Sequence, residues 1–260
     1  MVRIVTLFLT LVSFHVFSAP KSELWPFWQQ SDQSNPATIS HAKWQTFLDK
    51  YLIKEGQYTL VKYGSVSAQD KQKLNQYIAA LAAIDPREYS LNEQYAYWVN
   101  LYNAITVELI LNDYPVKSIT KLGGLFSFGP WGDEVVTVAG KNLTLNDIEH
   151  RILRPIWNDP RTHYAVNCAS LGCPNLQPQA FTAGNTEQLL EKAAMEFINS
   201  DKGVLYTSSR VQLSSIYDWF ADDFGNEQEL IQHLAKYRPE LTKLNGKFSY
   251  EYDWNLNDKK

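Results

Sequence analysis

The stretch from Ser90 to Pro115 limits the fold more than any other part of this chain of 260 residues. Ser90-Leu91-Asn92-Glu93 is a capping-box pattern, in which a hydroxyl and a carboxylate three residues apart satisfy the free N–H groups of a helix start. Tyr114-Pro115 closes the segment, because proline cannot continue a helix. Between them Tyr95, Trp98, Val99, Tyr102, Ile105, Thr106, Leu109 and Ile110 spread over most of the helical circumference. A helix that is apolar nearly all round belongs inside a protein, so the sequence predicts a long central helix over about residues 91–112. One side breaks the pattern, where Glu93, Asn100 and Asn103 fall together. Buried polar groups must be hydrogen-bonded or face a cleft. The stripe therefore either caps the helix and holds neighbouring loops, or lines a cleft in which an asparagine orients an imidazole or donates to an oxyanion.

Other elements follow from the same signals. Ser40 precedes a helical stripe of Trp44, Phe47, Leu48, Tyr51 and Leu52. Ser67–Asp70 and Thr144–Asp147 are further capping boxes. Leu60–Tyr63 and Val135–Val138 read as short strands, Val204–Thr207 with Val211–Leu213 as a hairpin, and Lys247–Tyr252 as a last strand. Helices are expected around 189–198, 216–225 and 230–234, and a long ordered loop with an aromatic tip (Phe126, Phe128, Trp131) over 116–134. Without regular strand–helix alternation the order favours α+β: a single domain over residues 40–260, with the long helix packed on a small, mostly antiparallel sheet. Residues 19–39, with Pro20, Pro26 and Pro36, read as an irregular arm whose Trp25, Phe27 and Trp28 pack against the domain.

Residues 1–18 carry Arg3, an apolar core from Ile4 to Val12, and small residues at Ser18 and Ala19, the pattern of an export signal cleaved after Ser18. Ser13 and His15 interrupt the run before it could span a membrane, so no transmembrane anchor is expected. An apolar content of 45% with 12 glycines and 11 prolines excludes a disordered chain, and the presence of only two cysteines excludes a disulfide-dense scaffold. A formal charge of −4 gives no electrostatic case for nucleic-acid binding.

Both cysteines fall in Asp159–Pro174, the densest polar and reactive stretch. Thr162–Cys168 reads as a buried strand, which would put His163, Ala165 and Asn167 on one face and Cys168 on the other. Three chemistries compete. Cys168 and Cys173 form a disulfide, worth about 2 kcal/mol for so short a loop. Alternatively, one of them is a thiolate nucleophile with His163 as base and Asn167 or a helix asparagine orienting the ring. The third, zinc on Cys-x4-Cys plus a histidine, has no second ligand pair, so neither metal nor other cofactor is expected. Arg154 and Arg161 bracket Asp159, and a structural ion pair is favoured there over an arginine fork for a substrate carboxylate. His41, His150 and His233 are read as surface residues. The aromatic tip either packs under its own loop or forms a sugar-stacking or lipid-touching lip.

Glu93-Gln94-Tyr95-Ala96-Tyr97-Trp98-Val99-Asn100-Leu101-Tyr102-Asn103-Ala104 resembles the helix signature of the domain of unknown function 547 family. Asp159-Pro160-Arg161, His163, Asn167-Cys168 and Cys173-Pro174 resemble its second signature, and Tyr252–Asn257 is similar to its usual ending. The resemblance implies no reaction; it does imply export, common among bacterial members. A remoter likeness is to papain-like and transglutaminase-like thiol enzymes, although the long helix here has no cysteine at its start. Two functions are carried forward. The first is an exported binding or accessory domain with a polar cleft lined by Glu93, Asn100, Asn103, Arg161 and His163. The second is a thiol-dependent hydrolase or acyltransferase acting on peptide or cell-wall amides, with His163, Asn167 and Cys168 or Cys173 as its catalytic candidates.

Overall fold

The structure, a computed structural model, describes residues 20–124, 127–207, 210–244 and 248–260. The expected signal at 1–18, Phe126 of the aromatic tip, the Ser208-Ser209 turn and Lys247 lie outside the described residues. The chain runs α1 (Ala42–Tyr51), β1 (Leu52–Glu55), β2 (Tyr58–Val61), α2 (Ala68–Ala82) and α3 (Leu91–Asp113). After a long loop come β3 (Val136–Val138), β4 (Lys141–Leu143), a π-helix over Asp147–Leu153, α4 (Arg154–Trp157), α5 (Thr162–Ala165) and α6 (Thr186–Ile198). The last third holds β5 (Val204–Tyr206), β6 (Val211–Ser214), α7 (Ile216–Trp219), α8 (Ala221–Phe224), α9 (Glu227–Tyr237) and β7 (Ser249–Glu251). The class is α+β, with small sheets that are antiparallel except where β7 joins β6 in parallel.

Local chemistry sets the ends of these elements. The Ser67 hydroxyl accepts from Asp70 N–H at 3.1 Å and donates to the Asp70 carboxylate at 2.9 Å, which fixes the start of α2. Ser90 caps α3 through Glu93 N–H. The Glu93 carboxylate does not cap α3; it reaches across and accepts from Ile39 N–H at 3.0 Å. The β3–β4 hairpin turns through Ala139 (φ 45°) and Gly140 (φ 73°), the left-handed pair that matches strand twist.

Every residue from Glu93 to Val107 is buried. Helix α3 contacts mainly α2, the π-helix and α6. Several of its polar side chains bond backbone: Gln94 donates to the carbonyls of Gln30 and Tyr89, and Tyr97 to that of Leu81. The arm from residue 20 lies across this helix. Trp28 is fully buried edge-on against Trp98, with ring centroids 5.1 Å apart. A second apolar cluster, built by α6, β5, β6 and α7–α9, surrounds Tyr164 and Phe197.

The final residues tie the parts together. Leu256 N–H donates to Lys117 O, Asn257 N–H to Ala169 O and Gly172 N–H to Asp253 O, all within 3.1 Å. Glycine is required at 172, since a Cβ there would lie 2.6 Å from the backbone nitrogen of Asp253.

Candidate functional site

A cavity of about 370 Å³ opens between the π-helix, the cysteine loop, α7 and the final segment. Its walls are aromatic. Trp254 touches Phe128, Trp131, Trp219 and Tyr252 with ring centroids 4.5–5.7 Å apart. Its polar lining includes Glu149, His150, His163, Cys168 and Cys173, with Tyr102 beside them.

Glu149 and His150 enter because residues 147–153 wind as a π-helix. The wider turn carries both side chains inward beside Ile148, and such turns occur often at functional sites. Glu149 Oε1 lies 3.8 Å from His163 Nδ1 and 4.0 Å from His150 Nδ1. His163 Nε2 is bonded to Asp223 Oδ2 at 2.6 Å, and Phe220 stacks on its ring at 4.1 Å. Arg154 donates to the same Asp223 oxygen at 2.5 Å, to His150 Nδ1 at 3.0 Å and to Pro20 O at 2.8 Å. Burial works against the Asp223 charge, yet the bonds from His163 and Arg154 outweigh it and hold the carboxyl well below its usual range. Both ring nitrogens of His163 thus face carboxylates, and neither bonds a sulfur.

The cysteine loop is not a strand. Thr162–Ala165 form one helical turn, and the chain becomes extended only at Val166. The apolar run suits either form, and Asp159-Pro160 starts a turn that continues as helix. Asn167 clamps the loop, accepting from Ala169 N–H at 2.9 Å and donating to Pro174 O at 2.7 Å. Ala169 sits at φ 56°, a conformation that L residues other than Asn and Asp seldom adopt. The expected disulfide is not made: Cys168 and Cys173 are free thiols with sulfurs 3.0 Å apart. The Tyr252 hydroxyl lies 2.9 Å and the Ser170 hydroxyl 3.3 Å from the Cys168 sulfur, and Ser170 donates to Tyr252 at 3.0 Å. Burial raises the Cys168 thiol, but the bonds from Cys173, Ser170 and Tyr252 more than offset it and bring it below its ordinary value. Burial and the neighbouring sulfur push the Cys173 thiol well up.

The other expected cleft residues lie outside the cavity lining. Asn100 exchanges two bonds with the Phe181 backbone, at 2.7 and 3.0 Å. Asn103 donates to Ala165 O at 2.9 Å and accepts from Asn167 N–H at 2.8 Å. Both asparagines hold loops, and Glu93 holds the arm. Arg161 grips Asp159 and reaches Glu187 and Glu191 on α6 at 2.6–3.1 Å, a structural ion network. Arg154 pairs with Asp223 rather than Asp159. Phe128 and Trp131 do not pack under their own loop alone; they join the cavity wall. Glu149, His150, Tyr102, Asp223, Trp219, Tyr252 and Trp254 were not expected at the site. The Glu149-His150 dipeptide behind a capping box was the one local signal.

The histidines read as surface residues are not exposed. His41 and His150 are buried, and His233 is half-buried beneath Tyr164. Burial lowers His41 and His150 from the usual 6.5 to about 4. The folded state keeps both neutral, so their contribution to stability is complete above pH 6.5. It is lost as pH falls from 6.5 towards about 4, where only the unfolded chain takes up protons. The expected loss is on the order of 1–2 kcal/mol per histidine. Urea unfolding of the protein and of His41→Gln at neutral and at acid pH checks this. The variant should lose less between the two conditions, and equal losses would remove His41 from the account.

The fold and site define an α+β domain built around a buried helix, with a dithiol and a carboxylate–histidine cluster opening into an aromatic-walled cavity. Residues 86–198 match the family described as "Protein of unknown function, DUF547", and this segment belongs to that family. No curated protein and no solved structure is significantly similar to the chain. Among the described residues no helix is long and apolar enough to cross a membrane.

Proposed function

We propose that residues 40–260 form one ligand-binding domain of an exported protein, and that its cavity takes a ring-bearing ligand of the cell-wall glycan–peptide class. The observation that carries this is the convergence of Trp131, Trp219, Tyr252 and Trp254 around buried Glu149 and His150. Aromatic faces bind the apolar faces of sugar rings, while a carboxylate and an imidazole accept from and donate to hydroxyls and amides. The sequence of residues 1–18 supports export.

A thiol-dependent hydrolase or acyltransferase is the second reading. It is favoured by the Cys168 sulfur lining the cavity with a hydroxyl donor at 2.9 Å. Against it stands His163, whose nitrogens are turned to Asp223 and Glu149 and away from the thiol.

Tryptophan fluorescence titrated with a disaccharide–peptide fragment of peptidoglycan tests the binding reading, with maltose as control. A saturable change with the fragment, absent with maltose and lost in Trp254→Ala, is the expected result. A flat titration with the fragment would overturn it.

A further inference from the structure

We infer that Cys168 and Cys173 are a working dithiol centre that exchanges with the disulfide bond of a small molecule admitted by the cavity, Cys168 attacking and Cys173 resolving. The inference rests on the reading of this cavity as open to a ligand, and it adds a reaction to it.

Four observations carry it. Both cysteines line the cavity and Cys168 is the more exposed, so a guest can reach the pair at Cys168. They are 3.0 Å apart, so a bond between them needs little movement of the loop. The two are unequal. The Cys168 sulfur faces the Tyr252 and Ser170 hydroxyls and is partly exposed, whereas Cys173 is buried with its sulfur towards the Cys168 N–H and the Val166 carbonyl. Burial and the nearby sulfurs also push the Tyr252 phenol well above its usual value, so it keeps its proton and donates. Finally, the loop is held from behind. Lys202, half-buried, donates to Cys173 O at 2.6 Å and to Asn175 at 2.8 Å. The aromatic wall suits the guest, since divalent sulfur packs favourably against aromatic rings.

The exchange balances in two steps. The Cys168 thiolate attacks one sulfur of the guest disulfide; the guest S–S bond breaks, a mixed disulfide forms, and the first guest thiolate leaves with the electron pair. Cys173 then attacks the Cys168 sulfur. The second guest thiolate leaves, taking the Cys173 proton, and the Cys168–Cys173 bond closes. One guest disulfide is reduced to two thiols as the protein dithiol is oxidised. A low-molecular-weight dithiol returns the pair to its starting state by the reverse exchange.

The reduced full chain is mixed at neutral pH with bis(2-hydroxyethyl) disulfide, which has no ring, and separately with the aromatic 5,5′-dithiobis(2-nitrobenzoate). With either probe the product should be the chain lighter by two hydrogens, free of adduct. The aromatic probe should release two thiolates per chain, about tenfold faster than it reacts with glutathione. Cys173→Ser should stop at a mixed disulfide on Cys168 with one thiolate released. Tyr252→Phe should slow the first step severalfold at neutral pH and move its pH profile upwards. Limiting iodoacetamide on the unaltered chain, followed by peptide mapping, should label Cys168 first, independently of how any variant folds. Two stable adducts on the unaltered chain, first labelling at Cys173, or a rate no faster than glutathione would each overturn the inference. Exchange with the ringless probe alongside a flat glycan titration would leave this inference standing and remove the glycan reading. The opposite pair of results would do the reverse.

Discussion

Asn103→Ala should cost the protein about 3 kcal/mol of folding stability and loosen the cysteine loop at the same time. Asn103 is buried, and its one amide group serves two backbone partners: the carbonyl of Ala165 and the N–H of Asn167. Alanine leaves both without a partner, away from water. Each orphaned buried group costs about 1–3 kcal/mol, far more than the net worth of the bond it lost. The damage is placed where it matters, because Asn167 in turn clamps the turn through Ala169 to Pro174. Urea unfolding followed by fluorescence should show a lower midpoint with an unchanged slope. Alkylation of Cys173, protected in the unaltered chain, should become fast. A variant with unaltered stability and a still-protected Cys173 would mean the loop is held by other contacts.

Asp223→Asn should be the second large loss, about 3 kcal/mol, the lower end for breaking a buried pair, because Arg154 is buried while Asp223 is partly exposed. The Arg154 side chain is 3% exposed and its guanidinium is spent on Asp223, His150 and Pro20. Asparagine keeps the shape and a carbonyl acceptor but removes the charge that offsets Arg154. The double variant Arg154→Met with Asp223→Leu provides the control. Replacing the whole pair by apolar groups should recover much of the loss, and the non-additivity measures the coupling between the two. Additive losses across the cycle would show that the pair does not act as a unit. The same substitution frees His163 Nε2, so any ligand response that depends on that ring should change with it.

Helix α3 was legible in the sequence because everything that defines it is local: a capping serine, a run apolar on all sides and a terminal Tyr-Pro. The strand ending at Val138 and the pairing of Val204–Tyr206 with the strand from Val211 were legible for the same reason, whereas the returning strand Lys141–Leu143 was not. Strand β1 was hidden, since Leu52 also completes the helical stripe of α1. The run Thr162–Cys168 misled because apolar residues without strict alternation fit a buried strand and a helical turn alike. The polar stripe on α3 was correctly singled out, and both asparagines took the loop-holding role that buried amides usually take. Half of the site could not be read locally. The inward turn of Glu149 and His150 depends on a π-helix, which no periodicity rule anticipates. Asp223, Tyr252 and Trp254 meet His163 and Cys168 only through long-range closure. The cysteine pair was read first as a bridge because export and close spacing both favour one. Its sulfurs stand instead as neighbouring thiols with separate hydrogen-bonding surroundings.

Tyr252 and Trp254 tie the site to a segment far along the chain. The hydroxyl that faces Cys168 comes from 84 residues further along the chain. Until that segment docks over Gly172, Cys168 lacks its phenol neighbour and the cavity lacks part of its wall. The surroundings of Cys168 are therefore completed by a segment that joins the site only through long-range closure. Thiol reactivity at Cys168 thereby reports on the docking of a strand-and-tail segment far away in sequence, so loosening of that segment would be read first in the chemistry of the loop.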